Sequence, residues 1–139
     1  MLIIIGFFVA HWYTSVFAQS FFLHRYMAHR MFLMNPFWER FFYLFTFITQ
    51  GSSFLHPKSY AQLHLEHHKH SDTEQDPHSP HFLKDVISMM INTARIYLEF
   101  KNGKRASSSP YIQGLPTWDR IDRILSLIHI SEPTRLHGI

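Results

Sequence analysis

Residues 2–29 read LIIIGFFVAHWYTSVFAQSFFLHRYMAH, from Leu2 to His29. The first part, Leu2 to Leu23, is interrupted only by His11, Gln19 and small polar groups. As a helix it is about 33 Å long, enough for the roughly 30 Å hydrocarbon core of a bilayer, and it reads as a transmembrane helix. A cleaved signal peptide has a basic start, a shorter apolar core and a small-residue cleavage site. Here Arg25 and Arg30 flank the far end instead. No Lys, Arg, Asp or Glu precedes Arg25, so all 13 basic residues follow the apolar stretch, and the positive-inside tendency puts that end in the cytoplasm.

The chain has 139 residues, 46% of them hydrophobic and 14 of them Phe. Its mean hydropathy is nevertheless near zero, because a polar second half offsets the apolar residues gathered in the first. The net charge of +3 is modest and the basic residues form no run, which argues against a nucleic-acid partner. Acidic lipid headgroups or an anionic substrate fit better. With no cysteine there is no disulfide framework, thiolate site or Cys nucleophile, so any metal chemistry rests on His, Asp and Glu.

Asn35-Pro36 opens a second apolar segment, Phe37 to Leu55, closed by Gln50-Gly51-Ser52-Ser53 and His56-Pro57. It is short for a span and polar at both ends. If the histidines on either side of it serve one metal centre, the chain cannot cross the membrane an odd number of times between them. An interfacial or re-entrant helix is therefore expected. Tyr60 to Lys69 has helical composition and Ser71 to Pro80 reads as a polar loop. Ser79 is expected to cap, and Pro80 to open, a helix with an apolar stripe of Leu83, Val86/Ile87, Met90/Ile91, Ala94 and Tyr97/Leu98, ending at Asn102-Gly103. That stripe suits ordinary core as well as membrane-surface contact. Lys104 to Thr117 reads as a loop and Trp118 to Leu125 as the start of a further amphipathic helix, with no internal repeat. The expected class is all-α: an integral membrane helical protein with transmembrane and interfacial amphipathic helices, representing a partial domain.

Twelve histidines are present, and two groups stand out: His24-Arg25-Tyr26-Met27-Ala28-His29 and His64-Leu65-Glu66-His67-His68. On a helix, positions 64, 67 and 68 share a face. A neutral imidazole offers a lone pair that suits iron, zinc or copper, while its second ring nitrogen can be fixed by a carboxylate. His24 and His29 lie about 140° apart on an ideal α-helix, so they either serve two neighbouring ions or sit where the helix ends. His11 alone reads as an interfacial anchor. HExxH is absent, and HxxEH fails because a single residue separates His64 from Glu66. No Ser-His-Asp or glycine-rich phosphate signature emerges. A non-catalytic membrane protein binding zinc or copper is the alternative from another class.

The string Gln19-Ser20-Phe21-Phe22-Leu23-His24-Arg25-Tyr26-Met27-Ala28-His29-Arg30 resembles the first histidine box, HxxxxH, of the membrane fatty acid desaturase family, the acyl-CoA desaturases of the histidine-box di-iron type. His64-Leu65-Glu66-His67-His68 is similar to the second box, HxxHH, and Asp76-Pro77-His78 to the loop behind it. The resemblance implies His24, His29, His64, His67 and His68 as ligands of two iron ions that activate O2 and introduce a cis double bond into a fatty acyl-CoA or acyl-lipid. It also implies a cytochrome b5-like or ferredoxin-like electron donor and a place in lipid biosynthesis. The setting it suggests is a bacterial cytoplasmic membrane, with the boxes on the cytoplasmic side. Membrane di-iron hydroxylases and ketolases share these features. An unactivated C–H bond requires a dry tunnel to select the carbon attacked, and Phe41 to Phe54 are candidates either to line it or simply to pack against lipid.

The family's third box, another HxxHH with a further histidine before it, has no counterpart here. Five ligands underfill two ions that together want about ten to twelve positions, so this chain alone is expected to be inactive. Only one helix fits before the first box, where a pair is common. Leu125-Ser126-Leu127-Ile128-His129-Ile130-Ser131-Glu132-Pro133-Thr134-Arg135 looks like the in-frame translation of a transposon-type sequencing adapter. Residues 1–124 are accordingly expected to be the N-terminal part of a desaturase domain, and 125–139 a non-native tail in which His129 and His137 carry no meaning.

Overall fold

A computed structural model describes residues 1–106, 112, 114–118, 121, 122 and 124. The adapter-like tail lies outside them, and the loop from Lys104 and the helix expected from Trp118 fall only partly within them. Helix α1 (Leu2–Ala18) continues without a break into a π-helical segment, Gln19–Ala28. Together they form one helix of 27 residues, Leu2–Ala28, the only one among the described residues long and apolar enough to cross a membrane. Ile3, Ile4, Phe7, Phe8 and Trp12 all point outward, the apolar surface that a lipid-facing span presents. The helix thus runs past Leu23 and carries the first histidine box with it.

Asn35 caps α2 (Pro36–Gln50) as its sequence suggests. Its Oδ1 accepts from the Trp38 N–H at 3.0 Å, and Pro36 takes the first helical position, where a missing N–H costs nothing. At 15 residues α2 is about 22 Å long, short of a bilayer core. It ends at Gly51, whose φ of +52° favours glycine, in a single 3₁₀ turn, Gly51–Ser53. Two of the α2 aromatics are committed to helix packing: Phe42 lies against Phe17, Phe21 and Phe22, and Phe45 against Phe17. Phe37, Phe41, Leu44 and Ile48 face outward.

Helix α3 (Pro57–His70) packs on the π segment and on α4 (Val86–Lys101). The core joins Phe22, Leu23, Tyr26, Met27 and Ala28 of the π segment to Tyr43 of α2 and Ala61 of α3. The small, fully buried Ala61 lets α3 come close.

Helix α4 does not start at Ser79-Pro80. Ser79 is buried in the loop, where its Oγ accepts from the His81 N–H at 3.2 Å, a side-chain-to-backbone bond that serves turns and caps alike. The cap is Asp85, which accepts from Ser88 N–H at 2.7 Å. The expected α4 stripe stays largely open, and the buried residues of the helix lie off it. Ile96 and Phe100 are buried, whereas Val86, Ile87 and Ile91 remain open. Gly103, with φ of +68°, follows the helix end at the expected Asn102-Gly103.

Candidate metal centre

The π geometry decides how the first box works. The His29 N–H bonds to the His24 carbonyl at 3.0 Å, a five-residue step, and Met31 N–H reaches Arg25 O at 3.0 Å. An i→i+5 bond sets residue i+5 above residue i, as an i→i+4 bond does in an α-helix. His24 and His29 therefore share a face, with ring centroids 4.5 Å apart. The 140° separation of an ideal helix does not apply.

From α3, His64 and His68 present the same face one turn apart and meet this pair. His64 Nε2 lies 3.0 Å from His29 Nε2 and 3.0 Å from His68 Nε2, and the His24 ring stands 4.7 Å from that of His64. One nitrogen from each of His24, His29, His64 and His68 lies within 4.8 Å of all the others. A single Nε2 has one in-plane position, holding either a proton or a lone pair, so His64 cannot hydrogen-bond both neighbours at once. A shared cation satisfies both contacts. Two nitrogens each about 2.1 Å from one ion stand about 3.0 Å apart when they meet at a right angle, which is the separation of both pairs. These residues fit a metal ion.

Electrostatics favour the ligating form. Burial, followed by the neighbouring His68, His24, His29 and His67, pushes the His64 pKa down to about 3. Burial, with His24 and His68, also holds that of His29 below the ordinary histidine value. Neutral rings keep their lone pairs.

His67 does not join this cluster, contrary to the shared face read for positions 64, 67 and 68. Its Nδ1 lies 2.8 Å from Asp76 Oδ1, and its ring centroid is 5.7 Å from that of His68. Burial works to raise the Asp76 pKa, but bonds from His67 and from the backbone N–H groups of His78 and Asp72 outweigh it, and the net shift is downward.

A largely apolar cavity of about 490 Å³ opens beside His64 and His67, walled by Leu55, Leu63, Met90, Ala94 and Tyr97. None of Phe41–Phe54 borders it, so the Phe-rich segment is not its lining. A second cavity of about 430 Å³ reaches His24 from the side of Val16 and Ser20. Gln19 and Tyr60 border both. The Tyr60 ring lies nearly parallel to that of His64, at 9° and 5.6 Å. Tyr60 and Asp76 had no signature of their own in the sequence, although Asp76 lies in the loop singled out after the second box.

Fold and site define an all-helical membrane protein whose spanning helix delivers two histidines to a four-histidine cluster able to hold a metal ion. The sequence matches the family described as fatty acid desaturase over residues 1–126. The chain belongs to that family, which is membrane-associated and oxidoreductase in kind. No curated protein and no solved structure matches it.

Proposed function

We propose that this chain is the N-terminal part of an O2-dependent fatty acyl desaturase, residues 1–124, followed by a non-native tail. The observation that carries the reading is the convergence of four histidine nitrogens within 4.8 Å beside an apolar cavity. His24, His29, His64 and His68 would hold one iron ion, and His67 would contribute to a second whose remaining ligands lie elsewhere. Bound there, the two ions supply oxygen chemistry: two hydrogens leave the chain, and with two electrons and two protons from a small donor they reduce one O2 to two waters. The chain's own part is to hold neutral imidazoles in place and to keep methylenes dry. Leu55, Leu63, Met90 and Ala94 form an apolar wall that offers a saturated chain no charge and selects by position alone. The substrate in this reading is a fatty acyl-CoA or acyl-lipid and the product is cis. The histidines lie on the cytoplasmic side of a bacterial membrane, because the positive residues begin at Arg25.

Metal analysis tests this reading. Purified chain loaded anaerobically should retain ferrous iron, and the uninterrupted reading frame past Ile124 should encode a further HxxHH and yield an alkene from a saturated acyl chain. Stoichiometric zinc with no affinity for iron would sink it, and an alcohol product would move it to the hydroxylases.

A further inference from the structure

We infer that Asp76 is a positioning residue, whose buried carboxylate fixes His67 as its Nδ1–H tautomer and holds the ring out of the four-histidine cluster, leaving Nε2 bare for a second ion. This rests on the two-ion reading above. The Asp76 side chain is fully buried and the His67 side chain 31% exposed, so one partner is anchored and the other is free to be aimed. Asp76 Oδ1 faces His67 Nδ1 at 2.8 Å and also accepts from the His78 N–H at 2.8 Å, while Oδ2 accepts from Asp72 N–H at 3.1 Å. A carboxylate that takes two backbone N–H groups offers His67 only an acceptor. The proton then sits on Nδ1 and the lone pair on Nε2, the arrangement in which a carboxylate orients a metal-binding imidazole.

The loop that carries Asp76 is itself fixed. Pro77 O accepts from Thr93 Oγ1 at 3.1 Å and from Asn92 Nδ2 at 3.3 Å, and His78 Nδ1 lies 3.0 Å from Thr93 Oγ1. Helix α4, which walls the apolar cavity through Met90 and Ala94, therefore also sets the place of the carboxylate that aims His67. Among the described residues no carboxylate bonds to His64 or His68, one helical turn apart, and the two turn to each other and to His29.

The test is two-dimensional ¹⁵N NMR of the metal-free chain, histidine-labelled, in lipid nanodiscs. Native His67 should show a single Nδ1–H tautomer. Asp76→Ala should give a mixture of tautomers, and Asp76→Glu should recover much of the native pattern, a rescue that a merely space-filling role would not produce. One equivalent of zinc should shift His24, His29, His64 and His68 in the native chain but leave His67 in place, whereas in Asp76→Ala His67 should respond as well. An Nε2–H tautomer at native His67, or movement of native His67 with the first equivalent of zinc, would overturn the inference. If Asp76→Ala does not fold, the native and Asp76→Glu spectra decide. Absence of iron binding would defeat the two-ion reading while leaving the tautomer result standing, so the two failures can be told apart.

Discussion

Lowering the pH from 7 to 5 should weaken metal binding at the four-histidine cluster far less than it weakens binding by four ordinary histidines. A ligand must lose its proton before it can bind. For a histidine with the usual pKa of about 6.5, that competition costs about 25-fold in affinity over this interval. His64, pushed down to about 3, carries essentially no proton at pH 5 and escapes the penalty. Its ring is only half-buried, but a shift half as large still leaves it mostly neutral there. His29, also lowered, escapes part of it. With His64 neutral and His29 lowered, the ion displaces fewer protons at pH 5 than the nearly four that four ordinary histidines release. The sign for the metal-free fold follows from the same shift. Between about 6.5 and 3 the unfolded chain takes a proton at His64 that the folded chain refuses, so stability falls as the pH drops through that window. Calorimetric zinc titrations at pH 5 in buffers of different ionisation enthalpy count the protons directly. Release of close to four would refute the reasoning.

Four further outcomes follow from the structure. His64→Ala removes the nitrogen that both short contacts share and should weaken zinc binding at least about 100-fold, the upper range lost when only a supporting partner is removed. His67→Ala should leave the first equivalent within about threefold by the same titration, since that ring lies outside the cluster. Ala94→Trp should fill the apolar cavity and abolish binding of a spin-labelled saturated fatty acid with zinc affinity unchanged, and retention of fatty acid binding would place the acyl site elsewhere. Asn35→Ala removes the α2 cap and should cost about 1 kcal/mol, read as a lower unfolding midpoint in mixed detergent.

Much of this was legible because it depends on local chemistry. An uncharged stretch long enough for a bilayer, Asn-Pro before α2 and Asn-Gly after α4 each act within a few residues, and all three stand where the sequence puts them. The five histidines were legible as a group. Their division into four and one was not, because helical spacing places His64, His67 and His68 on one face, while the partner that turns His67 aside is Asp76, nine residues further on in a loop. The start of α4 was misread for a related reason. Ser79 and Asp85 can both make the bond of a cap, and tertiary anchoring of Pro77 by Asn92 and Thr93 keeps the chain in a loop past Ser79. The cavity walls come from α3, α4 and Leu55, which only packing brings together.

The five-residue spacing of the first box is the point where sequence and geometry explain one another. Read on an α-helix, His24 and His29 diverge, and the box suggests two ions or a helix end. Read on a π-helix, a five-residue step is the hydrogen-bond repeat itself, and the same two residues come to share one face. Wide turns of this kind are rare and tend to occur at functional sites. This one occupies the end of the spanning helix, where Phe22, Leu23, Tyr26, Met27 and Ala28 pack into the core and hold it in place. A spanning helix that ended in regular α geometry would bring one histidine to His64 and send the other elsewhere. The π segment brings both, so the helix long and apolar enough to cross a membrane also positions half of the four-histidine cluster.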